Sequence, residues 1–155
     1  MGAARKRRAR WIRAGICGVA VAILLVMGVL VKAQAPEFTP LPAGASVRIV
    51  EPADGATVRS PVTVVFSVSG ATIKPAGAPE AGTGHHHLLI DTSATPAGAV
   101  VGADATHLHF GKGQTETKVE LRPGRHTLTL QFADGLHRSY GPNFSHTITI
   151  TVSEY

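Results

Sequence analysis

The chain has 155 residues, a formal charge of +5 and a single cysteine, Cys17. One cysteine excludes an intrachain disulfide. Seven of the fifteen basic residues (Arg5, Lys6, Arg7, Arg8, Arg10, Arg13 and Lys32) lie in the first 35 positions, so the remainder carries eight basic residues against ten acidic ones. That body has no basic stripe with interleaved aromatics, and capture of a phosphate backbone needs such a surface, so nucleic acid is excluded as a partner.

In chain order, residues 1–35 come first as a leader. Six positive charges and no negative one fill residues 1–13, and Ala14 to Val31 then run for 18 residues without a charge. That length is the lower limit for a membrane-spanning helix and exceeds the usual apolar region of a signal peptide. The basic cluster belongs on the cytoplasmic side, which puts everything after Val31 in the periplasm or at the cell surface. Two readings stand. The leader is an uncleaved anchor held in the membrane through residues 14–31, or it is a signal removed near Ala33-Gln34-Ala35, where Pro36 stands against cleavage. Residues 36–45 are proline-rich and read as a short extended tether.

From Ser46 to the C-terminus apolar and polar residues alternate, the two-residue period of half-buried strands. Strands are expected over 46–52, 61–70, 85–91, 106–111, 117–121, 126–134 and 146–153, with turn residues between them and no amphipathic helical stretch. Seven short strands in 46–155 point to an all-β domain. The expected fold is a single immunoglobulin- or fibronectin-like antiparallel β-sandwich preceded by one apolar helix. Residues 71–84 and 92–105 are Gly/Ala/Pro-rich and long for sandwich loops, which makes them candidates for function.

The chemistry-bearing feature is histidine. All eight histidines lie in the body, and five fall in two strands: His85, His86 and His87, then His107 and His109. Parity assigns His86 to the edge of the core with Leu88 and Ile90. His85 and His87 then point the other way, and so do His107 and His109 against Leu108 and Phe110. An H-x-H spacing is what a strand needs to put two ligands on one face. If the two strands are neighbours, four imidazoles converge with Cβ atoms ~5 Å apart, which suits one ion. The candidate metal ligands are therefore His85, His87, His107 and His109, with His86, Asp91 and His137 as secondary candidates.

Neither Cys nor Met occurs after Met27, so soft ligands for Cu(I) are missing, and imidazole suits copper(II) or zinc. The competing reading is a hydrogen-bonded structural cluster in a non-catalytic envelope module that binds a protein partner. His126 and His146, at strand starts, read as structural. Enzyme chemistry has little support. Gly111-Lys112-Gly113 lacks the phosphate-loop frame and reads as a hairpin turn, and Ser93, Ser139 and Ser145 occupy no nucleophile elbow. Copper–zinc superoxide dismutases also hang histidines on a β-sandwich, but their disulfide and ligand order are not reproduced here.

The segments GHHHLLID (84–91), HLHFGKGQTE (107–116) and PGRHTLTLQFAD (123–134), with the closing His137, Pro142 and Ser145, resemble a bacterial exported family described as domain of unknown function 4399. The resemblance covers roughly 46–153. GPNF (141–144) departs from it where relatives carry a Pro-Pro pair. It implies an exported small domain and supplies no reaction, ligand or catalytic residue.

Overall fold

The computed structural model describes residues 38–154. The expected apolar helix over 14–31 lies outside them. Among the described residues no helix is long and apolar enough to cross a membrane.

All seven expected strands form, joined by two two-residue strands. They are β1 (Ser46–Glu51), β2 (Thr57–Val58), β3 (Val62–Ser69), β4 (Thr72–Ile73), β5 (Thr83–Ile90), β6 (His107–His109), β7 (Glu116–Val119), β8 (Gly124–Ala133) and β9 (Ser145–Val152). One 3-10 turn, Pro142–Phe144, precedes β9. The strands make a three-stranded sheet, β1-β3-β7, and a six-stranded sheet, β2-β9-β8-β5-β4, in which β6 also pairs with β5. The main pairings are antiparallel, but β2 pairs with β9 and β4 with β5 in parallel. The second sheet is therefore mixed where a purely antiparallel one was expected. Two-residue strands are too short to leave an alternation in sequence.

Alternation does predict the core. Val47 and Ile49 of β1, Val64 and Phe66 of β3, Leu128, Leu130 and Phe132 of β8, and Ile148, Ile150 and Val152 of β9 form one buried cluster that draws on both sheets. Each such side chain contributes about 1.5–3 kcal/mol by leaving water. Residues 38–45, expected as part of a tether, add to this core: Leu41 and Ala45 are buried, and the Phe38 ring lies 5.3 Å from that of Tyr140.

β5 is the strand that matters for function, because it is buried along its whole length on both faces. Its neighbours are β8 on one side and, on the other, β4 followed by β6. The core face carries His86, Leu88 and Ile90. The opposite face carries His85, His87 and Leu89, and it is covered by loops. Residues 95–101 lie alongside residues 137–141 through backbone hydrogen bonds from Gly98 N to Ser139 O, Ser139 N to Ala99 O and Val101 N to His137 O. Leu89, Val101 and Ala133 make a second small apolar cluster under this cover. Gln131, fully buried, accepts from Thr95 N and donates to Gly141 O, tying both loops to β8. The long loop flagged in the sequence thus roofs the face that bears the histidines.

His86, a secondary ligand candidate, lies on the face away from that roof. Its ring is packed between Phe66 and Phe132, with centroids at 5.4 and 5.2 Å, and neither ring nitrogen has a partner among the described residues. Burial alone pushes its pKa down to about 4. A buried polar group without a partner costs about 1–3 kcal/mol. His86→Phe is therefore expected to raise unfolding stability by about 1 kcal/mol or more in urea titrations at pH 7, once some overpacking is allowed for. A loss of stability would show that the ring nitrogens are satisfied after all.

Candidate metal centre

Four imidazoles meet on the roofed side of β5. His85 and His87 come from β5 itself, two residues apart on one face, and both are fully buried. His109 lies directly opposite His87 across the β5–β6 pair. His137 arrives from the loop after β8. The Nε2 atoms of His85 and His87 are 3.1 Å apart, and those of His109 and His137 are also 3.1 Å apart. All ring centroids of the set fall between 4.7 and 5.8 Å of one another. One ligand nitrogen from each of His85, His109 and His137 fits within a 4.8 Å span.

These distances can be set against what an ion requires. Zn–N bonds of about 2.0–2.1 Å at tetrahedral angles put ligand nitrogens ~3.3 Å apart. Each 3.1 Å pair already has nearly that separation. His87 stands outside the three-residue group within 4.8 Å, its ring centroid 5.8 Å from that of His137, so a fourth bond from it requires the rings to draw together around the ion.

Electrostatics keep the rings in the ligand form. Burial, followed by the neighbouring His109 and His137, lowers the pKa of His85 to about 4. Burial and then His85, His109 and His137 lower that of His87 to about 3. Burial and then His137 lower that of His109. Depressed pKa values leave these imidazoles neutral at pH 7, with a lone pair to donate.

The turn that delivers His137 is built by Asp134. This carboxylate is buried and accepts from Leu136 N and Arg138 N through Oδ1 and from the Arg138 guanidinium through Oδ2. The backbone of His137 then takes a positive φ of 65°. Its N–H donates to Asp134 O, and its carbonyl accepts from Val101 N. Gly135 is needed where it stands, because a Cβ there would come within 2.5 Å of the Gly77 carbonyl oxygen.

His107 was expected as the fourth ligand and does not join this set. Asp104 accepts from Thr106 N, His107 N and the Thr106 hydroxyl, and His107 Nδ1 lies 3.0 Å from the same carboxylate oxygen. These hydrogen bonds hold Asp104 well below the usual carboxylate range and draw the His107 ring toward the loop. His137 occupies the place that parity assigned to His107. Asp91 is also elsewhere. Its φ of 56° breaks the strand alternation, and its carboxylate accepts from Thr127 N and from His126 Nδ1 at 2.8 Å.

His126 completes its own hydrogen bonding through Nε2 to Arg122 O. His146 Nδ1 accepts from Ile49 N. Both are anchored to the scaffold at a distance from the cluster. Ser139 is buried and donates to Thr95 O, Ser145 donates to Pro142 O, and neither contacts a histidine ring among the described interactions.

Sequence reasoning undervalued two residues. His137 sits in a loop where no periodicity points, and only the Asp134-Gly135 turn just before it hints at a fixed position. In the expected Gly111-Lys112-Gly113 turn, only Gly113 has a positive φ, 83°. A Cβ on Gly111 would lie 2.2 Å from His109 Cε1 and 2.4 Å from its Nε2. Gly111 provides the space in which the His109 ring rests.

The fold and this cluster define an all-β domain with a histidine-lined candidate metal centre at the edge of one sheet. A family model described as domain of unknown function (DUF4399) matches residues 64–153, and the chain belongs to that family. The match takes in β5, β6, β8 and all four histidines of the cluster. No curated protein and no solved structure matches the chain.

Proposed function

We propose that this protein is an exported, membrane-anchored accessory domain that binds one copper(II) or zinc ion through His85, His87, His109 and His137. The observation that carries the reading is the convergence of four imidazoles in two preset Nε2 pairs, each at 3.1 Å; burial keeps the His85 and His87 rings neutral. The all-nitrogen donor set suits Cu(II) and Zn(II). A purely structural cluster is less well supported. Outside the core, the scaffold histidine His126 uses both ring nitrogens, bonding Asp91 and Arg122 O. By contrast, the Nδ1 atoms of His85 and His87 are buried with no partner among the described residues.

Export and anchoring rest on the basic cluster and the 18-residue apolar run of the leader. Within the body we infer an immunoglobulin- or fibronectin-like sandwich, supported by two sheets that share one core with inward residues alternating along each long strand. The exposed Val100 and Leu136, on the two loops that roof the site, suit a protein partner docking beside it.

The test is isothermal titration of Cu(II) and Zn(II) into the full chain in mild detergent at pH 7, beside a variant with His85, His87, His109 and His137 all changed to Ala. Expected is one-to-one binding in the submicromolar range for the wild type and none for the variant. Metal-insensitive wild-type protein would leave the histidines as scaffolding. A His107→Ala protein is expected to bind within about twofold of wild type, because that ring belongs to Asp104; such a change is well under 1 kcal/mol.

A further inference from the structure

The four candidate ligands are unequal, and the inequality points to how the site is used. His85 and His87 are fully buried on a strand paired on both sides. His137 is half-buried on a turn fixed by Asp134. His109 is exposed, at the end of a three-residue strand and just before the Gly111–Gly113 turn. One side of the candidate site is therefore closed by β5, and the other is closed by a single exposed ring.

The outer hydrogen bonds show the same thing from another direction. Ligating histidines usually donate their remote N–H to a carboxylate or carbonyl, which fixes the ring and strengthens the metal bond. With Nε2 turned inward, His85 and His87 place Nδ1 in buried surroundings without such an acceptor among the described residues. A site meant to hold an ion permanently would brace these nitrogens. This one grips by enclosure and leaves bond strength below the maximum.

Resting on the metal-binding reading above, we propose that the centre is a transfer site with His109 as the exchangeable ligand. An acceptor bearing an imidazole or a similar nitrogen donor approaches from the open side. Its nitrogen forms a bond to the ion as the bond to His109 Nε2 breaks. His109 leaves as a neutral imidazole, the ion keeps its oxidation state, and no proton or electron changes hands in that step. His85 and His87 hold the ion until the second donor atom of the acceptor arrives. Loss of the ion by this route depends on the acceptor, so the ion is kept from bulk water and passed on when a suitable donor comes.

The experiment uses the full chain in mild detergent, loaded with Cu(II) and mixed with rising concentrations of free histidine as the acceptor, with the visible absorption band followed by stopped flow. The expected result is a transfer rate proportional to histidine concentration. His109→Ala is expected to transfer about tenfold faster while losing less equilibrium affinity than His87→Ala, since ligand changes of this kind act mainly on dissociation. Far-UV circular dichroism of both variants separates a site effect from unfolding. Tight binding with a rate independent of acceptor would overturn the transfer role and leave metal binding standing, and so would His109→Ala transferring no faster than wild type. Failure of the wild type to take up Cu(II) at all would overturn both.

Discussion

Metal-free protein is expected to lose stability steeply as pH falls from about 6.5 toward 4. Three fully buried histidines set this window: His85 and His86 have pKa values lowered to about 4 and His87 to about 3, against 6.5 in the unfolded chain. Below 6.5 the unfolded state takes up protons that the folded state refuses, so each proton drives unfolding. The stabilisation is complete above 6.5 and is lost as pH drops through the lowered values. With three such groups the slope reaches at most about 4 kcal/mol per pH unit, large against a total stability of about 5–15 kcal/mol.

His109 and His146, also lowered by burial, add in the same direction. His126 acts in the opposite sense, because the hydrogen bond to Asp91 raises its pKa. Its contribution is present below 6.5 and fades as pH rises through the raised value. Urea unfolding with a chelator present at pH 7, 6 and 5 would show the slope directly. His86→Phe should reduce it by about one proton, which is about 1.4 kcal/mol per pH unit. A flat profile would mean that these rings take up protons in the folded protein as readily as in the unfolded chain, and that burial does not hold them neutral.

How much of this could be read from the sequence varies with the residue. The seven longer strands follow from alternation, because one face of each meets a continuous core and a register slip would turn that face to water. The same logic puts His85, His87 and His109 on one side. Parity names the face of a strand without saying what covers it. β5 turns out to be buried on both faces only because residues 95–101 and 137–141 fold over it, and loops carry no periodic signal.

Parity also fails where a local hydrogen bond outweighs it. His107 has the right alternation, but the Asp104 carboxylate two residues before Thr106 captures its ring. His137 has no alternation at all and is positioned by the buried Asp134 through a left-handed backbone step. The substitution of His137 for His107 in the cluster thus reflects two turn-forming aspartates, each acting within four residues of its own histidine. The parallel pairings of β2 and β4 were illegible for a simpler reason: two residues make no pattern.

The two glycines flanking the site allow fold and function to be separated. Gly111→Ala is expected to leave the domain folded and to weaken metal binding about 10- to 100-fold, the range seen when groups that orient ligands are removed. The added methyl would overlap the His109 ring, with Cβ to Cε1 at 2.2 Å, and the three atoms nearest that Cβ all belong to this ring. An exposed side chain can swing aside at little cost to the fold, but it then no longer pairs with His137. Gly84→Ala should do the reverse. Its Cβ would fall 2.3 Å from the carbonyl oxygen of Ala133 and 2.7 Å from Phe132 Cε1, so a paired strand and a core aromatic would have to move. Overpacking against backbone costs about 3 kcal/mol or more, enough to lower the urea midpoint sharply. Both variants would be measured for urea midpoint and for Cu(II) affinity. If Gly111→Ala bound metal like the wild type, His109 would not be a ligand, and the centre would be limited to the three histidines His85, His87 and His137.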